Sequence, residues 1–146
     1  MSGQLRNPWF IAMSLSCLLV ALASWRGLVA PFELVMAHLV HYTTNQSLPL
    51  FAHLAFGPLA LALVPFQFWT GSRRRPVLHR WAGRLYVMSI MLAAIGSLAM
   101  LPGYQGPAWT AAGFFTLALL WIVTTGMGLV RALQGRFAEH QIWMLR

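Results

Sequence analysis

The residues best suited to chemistry lie in one arginine-rich stretch, RRRPVLHRWAGRLY, at positions 73–86. It places five arginines and His79 between two long apolar runs. If the stretch is helical, His79 shares a face with Gly83, and Arg80 shares a face with Arg84. Guanidinium groups bind anions, whereas an imidazole binds a metal or a hydrogen-bond acceptor. A haem with its propionates, a quinone head or a lipid phosphate would each suit this set. The alternative is an interfacial anchor that contacts lipid phosphates.

A second histidine on the same predicted side is His140, in the sequence RFAEHQIWMLR. Arg136, His140 and Met144 recur at intervals of four residues and would share one helical face. His140 and Met144 cannot ligate opposite sides of one haem, because one helix face supplies only one side of a porphyrin. His79 and His140 together form a candidate ligand pair for a b-type haem. The alternative is an amphipathic end helix with Arg136 and Glu139 in water.

Other candidates for chemistry are few, because the chain has no aspartate and only two glutamates. Catalysis by paired carboxylates is therefore nearly excluded, and we expect a non-catalytic protein. His53 lies about one turn inside an apolar run, where an ionisable side chain is a functional candidate. A hydrogen bond to a carbonyl of the outer loop would also satisfy it. The secondary site candidates are His53, Gln67, Tyr86 and Arg136.

The composition that must position these residues is that of a membrane protein, with 59% apolar and 8% charged residues. Four uncharged runs predict transmembrane helices at about residues 9–25, 50–69, 85–101 and 108–130. Each run is close to the length needed to cross ~30 Å of hydrocarbon. A cleaved signal peptide is the weaker interpretation of the first run, because no small-residue cleavage site precedes soluble sequence.

The predicted fold is a single all-α membrane domain over residues 1–146, a bundle of four transmembrane helices. The segment at about residues 27–42 contains LVAPFELVMAHLVHY, whose apolar residues recur at helical intervals with Glu33 on another face. This pattern predicts a short interfacial helix on the outer side.

The distribution of arginine predicts the orientation. The net charge of +8 comes from ten arginines and no lysine, against two glutamates. Only Arg26 falls on the side opposite the other nine. The positive-inside rule therefore predicts a bacterial inner-membrane protein with both termini and the 71–84 loop in the cytoplasm. Because these arginines lie at span ends, anionic lipid explains them and we expect no nucleic-acid partner.

Three motifs, HLAFGPLALALVPFQF, RPVLHRWAGRLYV and HQIWMLR, resemble an uncharacterised family of small bacterial multi-pass membrane proteins. The resemblance covers roughly residues 50–146, and His-Arg-x-x-Gly-Arg-x-Tyr is its most specific part. The family is a domain of unknown function and implies no established reaction. The matching positions are His53, Gly57, Pro58, Gln67, Pro76, His79, Arg80, Gly83, Arg84, Tyr86, His140, Trp143, Met144 and Arg146.

Two features differ from the family pattern. Relatives carry glycine at the position of Pro65 in this chain. They also continue past the Trp-Met-x-Arg element into a further span. We therefore expect that any site completed by later helices would be incomplete within residues 1–146.

Two functional hypotheses follow from these observations. The first is a non-catalytic subunit or scaffold that binds anionic lipid through a cytoplasmic arginine layer and packs against partner helices or a second copy. The second is an electron-transfer module with a b-type haem or a quinone, in which His79 and His140 are ligands and Arg80 and Arg84 contact anionic groups. A transporter is disfavoured because no acidic residue lies within the spans.

Overall fold

The computed structural model describes residues 2–146, which form helices and no strand. The helices are α1 (Ser2–Leu5), α2 (Pro8–Val29), α3 (Phe32–Val35), α4 (Tyr42–Asn45), α5 (Ser47–Phe68), α6 (Thr70–Arg73), α7 (Pro76–Met100), α8 (Ala108–Leu133) and α9 (Phe137–Met144). Two 3₁₀ turns cover Ala37–Leu39 and Leu101–Gly103. Helices α2, α5 and α8, and the segment Pro76–Gly103, are long and apolar enough to cross a membrane. The predicted all-α membrane fold with four spans is confirmed.

Helix α2 begins where its sequence supplies a cap. The Oδ1 atom of Asn7 accepts hydrogen bonds from the backbone N–H groups of Trp9 (2.9 Å) and Phe10 (3.4 Å). Pro8 occupies the first turn, where its missing N–H is not needed. The helix continues to Val29, past the predicted end at residue 25, because the exposed Arg26 side chain lies in the last turn, where positive charge is favourable.

The segment after α2 differs from the single interfacial helix predicted at about residues 27–42. It consists of short helical turns, because Pro31 interrupts the backbone hydrogen bonding and Met36 turns into the protein. The Met36 side chain packs on Gly27, where a Cβ atom would lie 3.1 Å from its Cγ and Cε atoms. Met36, Tyr42, Leu50 and Leu54 form a buried apolar cluster. This cluster holds the segment against α5.

The third spanning helix begins earlier than the predicted span at residues 85–101. Helix α7 starts at Pro76, directly after the run of three arginines. Arg80 and Arg84 lie in the first turns of α7 and lower the hydropathy of this part. Both side chains are exposed. Long arginine side chains at a helix end can extend into the interface, so their charge does not exclude the helix from the membrane boundary. Most of the predicted 71–84 loop is therefore helical.

Helix α5 packs most extensively on α7, and it also contacts α2, while α8 packs against α7 and α9. The closest approach of α5 and α7 is at Gly96. A Cβ atom at this position would lie 2.7 Å from the carbonyl oxygen of Pro49 and 3.2 Å from the backbone nitrogen of His53. One turn away, the Cβ position of Gly57 is 3.8 Å from the Cβ atom of Ala93. Small residues thus let the two backbones meet, as is typical of membrane helix pairs.

We predict that Gly96→Ala destabilises the protein. The added methyl group would clash with backbone atoms that cannot rotate away, so α5 and α7 must separate at a cost of about 1–3 kcal/mol. The measurement is the melting temperature of the purified protein in detergent. The matched control is Gly113→Ala on α8, where an added Cβ meets no atom within 4 Å. A melting temperature lowered equally in both variants, or in neither, would contradict the packing role of Gly96.

Candidate functional site

Five exposed arginines at one end of the bundle form what we call the arginine surface: Arg73, Arg74, Arg75, Arg80 and Arg84. The ion pairs found within residues 2–146 both involve Glu139, which contacts Arg131 at 3.2 Å and also contacts Arg136. Arg136, a secondary candidate, is thus engaged in an ion pair. Glu33 is exposed on α3, which follows the opposite end of α2. In the part of the chain that the structure describes, no carboxylate neutralises the arginine surface.

An exposed tryptophan lies within the arginine surface. The Trp81 side chain is 63% exposed, and the Cζ atom of Arg84 lies 4.8 Å from the centre of its ring. An indole ring favours the level of the lipid headgroups, and a guanidinium over its face is attracted to the ring electrons. This pair therefore suits a membrane interface, with the positive charge of Arg84 left accessible.

His79 and His140 lie near each other at the same end. The Nδ1 atom of His140 is 2.8 Å from the carbonyl oxygen of Gly128 and therefore donates its hydrogen to α8. The Nδ1 atom of His79 is buried and has no hydrogen-bond partner among residues 2–146. His79 is close enough to His140 and Arg73 for their charges to interact. Both histidines of the predicted pair thus lie at this end of the bundle, on α7 and α9.

Gln67 and Tyr86 lie in the same region but do not complete one pocket with the histidines. The side chain of Gln67 packs over Gly83, where a Cβ atom would be 3.9 Å from its Oε1 atom. Its Nε2 atom is buried without a hydrogen-bond partner in the described chain. Tyr86 instead lines a cavity of about 110 Å³ with Trp143 and other residues of α8 and α9. Neither His79 nor His140 lines that cavity.

A much larger cavity, of about 670 Å³, lies at the opposite end of the bundle, and we call it the outer cavity. His38, His41 and His53 all line it, together with Tyr42 and Tyr104. The rest of the wall is mainly apolar. It is formed by residues of α5, α7 and α8 that include Leu50, Leu54, Met100, Leu117 and Trp121. The chain thus places three of its five histidines around one space.

Two imidazoles of the outer cavity differ in their hydrogen bonding: His53 forms a bond to α7, and the Nε2 atom of His41 has no partner in the described chain. The Nδ1 atom of His53 lies 2.9 Å from the carbonyl oxygen of Ala93 on α7, so it must carry the hydrogen that it donates. In the neutral ring the Nε2 atom of His53 then carries a lone pair. The His41 ring packs on Tyr42 with 4.0 Å between ring centres, and its Nε2 atom is buried without a partner within residues 2–146.

Two phenols also face this cavity. Burial raises the pKa of the Tyr42 phenol, and the neighbouring Tyr104 phenol raises that pKa further. Tyr42 is therefore protonated at neutral pH and can donate a hydrogen bond. The Tyr104 ring meets Phe114 of α8 edge to face, with 5.7 Å between ring centres. This contact fixes the turn between α7 and α8 against the cavity.

The outer cavity is not among the sites predicted from the sequence, although the segment that contains His38 and His41 is predicted on the outer side. His38 and His41 are three residues apart, and His53 lies at the start of the next span. That spacing shows a shared depth in the membrane. It does not reveal the space between α5, α7 and α8, which depends on how the turn with Tyr104 folds over the helix ends.

Comparison with known proteins identifies the family. A family model described as a predicted membrane protein (DUF2306) matches residues 50–146. No curated protein and no solved structure is significantly similar to the chain. The matched region includes most of α5 and all of α7, α8 and α9, and thus most of both sites described above. Because the match covers more than half of the sequence, the chain belongs to the DUF2306 family of predicted membrane proteins, a domain of unknown function.

Proposed function

We propose that the protein is a non-catalytic subunit or scaffold of the bacterial cytoplasmic membrane that binds anionic lipid through its arginine surface. The observation that carries this proposal is that five exposed arginines have no carboxylate partner within residues 2–146. Unneutralised guanidinium groups beside an apolar bundle attract the phosphates of the adjoining leaflet. The chain contains only two carboxylates, and Glu139 is held by Arg131 and Arg136, which disfavours acid–base catalysis by these groups.

The geometry of α7 suits phosphate groups. Arg80 and Arg84 project from successive turns of its first half, with Trp81 beside Arg84 at the level expected for headgroups. Arg75 immediately precedes the helix, whose first backbone N–H groups add partial positive charge. A guanidinium can form two parallel hydrogen bonds to one phosphate, which a compact ammonium cannot. The exclusive use of arginine in this chain fits that role.

Contacts with partner helices are the second part of the proposal. On α8, an added Cβ atom at Gly126 would meet no atom within 4 Å, so this position is open to another helix. Small residues allow close helix approach in lipid, where apolar burial alone gives little driving force. We propose that this face of α8 packs against another membrane subunit or a second copy of the chain.

We predict that the arginine surface lies in the cytoplasm. Nine of the ten arginines lie at this end, and the positive-inside rule favours the cytoplasm for the arginine-rich side. The test is labelling of single cysteines with a membrane-impermeant maleimide in a Cys17→Ala background. Ala138→Cys should react only after the inner membrane is opened, and Gln105→Cys should react in intact spheroplasts. Both residues are exposed, whereas Ser72 is fully buried and unsuitable as a probe. The reverse labelling pattern would contradict the orientation.

We predict that the triple variant Arg73→Gln, Arg74→Gln, Arg75→Gln loses selective binding of phosphatidylglycerol. Each arginine near an anionic surface contributes about 1 kcal/mol, so three together correspond to roughly a 100-fold weaker affinity. The measurement is native mass spectrometry of the protein titrated in detergent with phosphatidylglycerol or phosphatidylcholine. Phosphatidylcholine binding should be unchanged.

Two controls sharpen this experiment. Arg26→Gln removes one charge from the opposite end of the bundle and should leave phosphatidylglycerol binding to the arginine surface intact. Replacing Arg73, Arg74 and Arg75 by lysine keeps the charge but not the paired hydrogen bonds, so it should restore only part of the affinity that the glutamine variant loses. Equal phosphatidylglycerol binding by the wild-type protein and the triple glutamine variant would refute the lipid proposal.

The alternative of a redox module at the same end is favoured by the closeness of His79 and His140. The nearby cavity of about 110 Å³ is smaller than the usual 300–1,000 Å³ of a ligand pocket and is not lined by either histidine. We therefore expect protein purified from haem-replete cells to show no Soret band. A band abolished by His79→Ala and by His140→Ala, but retained in His38→Ala, would establish the haem module instead.

A further inference from the structure

We propose that the outer cavity binds the head of a membrane-soluble quinone or quinol, with the isoprenoid tail extending into the bilayer. The outer cavity holds about 670 Å³, within the usual range for sites that enclose a small organic molecule. It combines an apolar wall with a few polar side chains, which is the composition expected of a site for an amphipathic ligand. This inference is independent of the lipid-binding proposal, because the arginine surface lies at the other end of the bundle.

The first polar group is His53. Its Nδ1–H donates to the carbonyl oxygen of Ala93, and this bond fixes both the ring orientation and the tautomer. The Nε2 atom is then the ring nitrogen left for the cavity, and in the neutral ring it accepts a hydrogen bond. A quinol hydroxyl is a neutral donor that can supply this bond.

The second polar group is His41. Its Nε2 atom is buried and lacks a hydrogen-bond partner in the described chain. An unsatisfied buried nitrogen is unfavourable. The ring packs on Tyr42, and when it turns toward the cavity a ligand atom can hydrogen-bond to this nitrogen and contribute binding free energy. An imidazole N–H or the Tyr42 hydroxyl donates to a quinone oxygen, and an imidazole lone pair accepts from a quinol.

The charge of the lining selects a neutral ligand. None of the ten arginines and neither glutamate lines the outer cavity. A phosphate headgroup or the two propionates of a haem would therefore lose water without gaining a guanidinium from the lining, which is costly. A quinone head has two hydrogen-bonding oxygens and no charge, so it matches the histidines and phenols without such a cost.

The outer cavity also has an apolar side for the tail. Phe114 and Leu117 line it, and they are 45% and 50% exposed at the outside of α8, where lipid surrounds the bundle. A chain attached to a head between His41 and His53 can leave past these two side chains without crossing a polar surface. A ligand with a long hydrocarbon tail is thus favoured over a small water-soluble molecule.

The test uses the full chain in nanodiscs, titrated with a ubiquinone analogue that carries a ten-carbon tail. Binding is followed through quenching of tryptophan fluorescence, because Trp121 lines the outer cavity. We expect saturable quenching in the wild-type protein. His41→Phe keeps the ring that packs on Tyr42 but removes the nitrogens, and it should weaken binding about tenfold, as for the loss of one well-formed hydrogen bond.

Ser97→Leu is a second, independent variant, because Ser97 lines the outer cavity and the added methyl groups would occupy its space. It should abolish saturable quenching. The matched control, His79→Phe, changes a histidine at the other end and should bind the analogue as the wild-type protein does. The triple glutamine variant of the arginine surface should also bind normally, which separates this inference from the lipid proposal.

Three results would overturn the inference. The first is the absence of saturable quenching in the wild-type protein. The second is equal affinity in the wild-type protein, His41→Phe and Ser97→Leu. The third is a Soret band that His41→Phe abolishes and His79→Phe retains, since this would assign the outer cavity to a haem.

Discussion

The close approach of α5 and α7 determines the positions of most other features. In lipid, two apolar helices gain little by burying apolar surface, so backbone proximity and hydrogen bonds must hold them. Gly96 provides the proximity, because a side chain there would collide with Pro49 and His53. The hydrogen bond from His53 to Ala93 joins the same two helices at the same level. The contact that builds the bundle therefore also orients a polar side chain of the outer cavity.

At the other end, the start of α7 governs the electrostatics. Pro76 begins the helix immediately after Arg73, Arg74 and Arg75, so these charges are held at the end of the bundle. Arg80 and Arg84 follow on the first turns and remain exposed. Glu139 contacts Arg131 and Arg136 instead. The side-chain carboxylate of Glu139 is thus paired within the C-terminal part, and among residues 2–146 no other carboxylate neutralises the arginine surface.

The existence of four spans could be predicted because each needs an uninterrupted apolar run of suitable length. The start of α7 could not, because Arg80 and Arg84 lower the hydropathy of its first turns although both are helical and exposed. The outer segment was predicted as one helix from its periodicity, but Pro31 and the packing of Met36 on Gly27 divide it into short turns. Tertiary contact decided that local structure, and it is not visible in the sequence pattern.

For the candidate sites, too, the sequence predicts the depth of a residue in the membrane but not the contacts of its side chain. Arginine counting places His79 and His140 at one depth and His53 at the other, because depth follows from topology. Whether a histidine is free for a ligand depends instead on its ring hydrogen bonds. A donated Nδ1–H leaves the Nε2 lone pair of a neutral ring, which allows His53 to offer polarity beside an apolar wall without burying a charge. The two ends therefore offer different chemistry: exposed positive charge at one, and imidazole and phenol groups in a largely apolar cavity at the other.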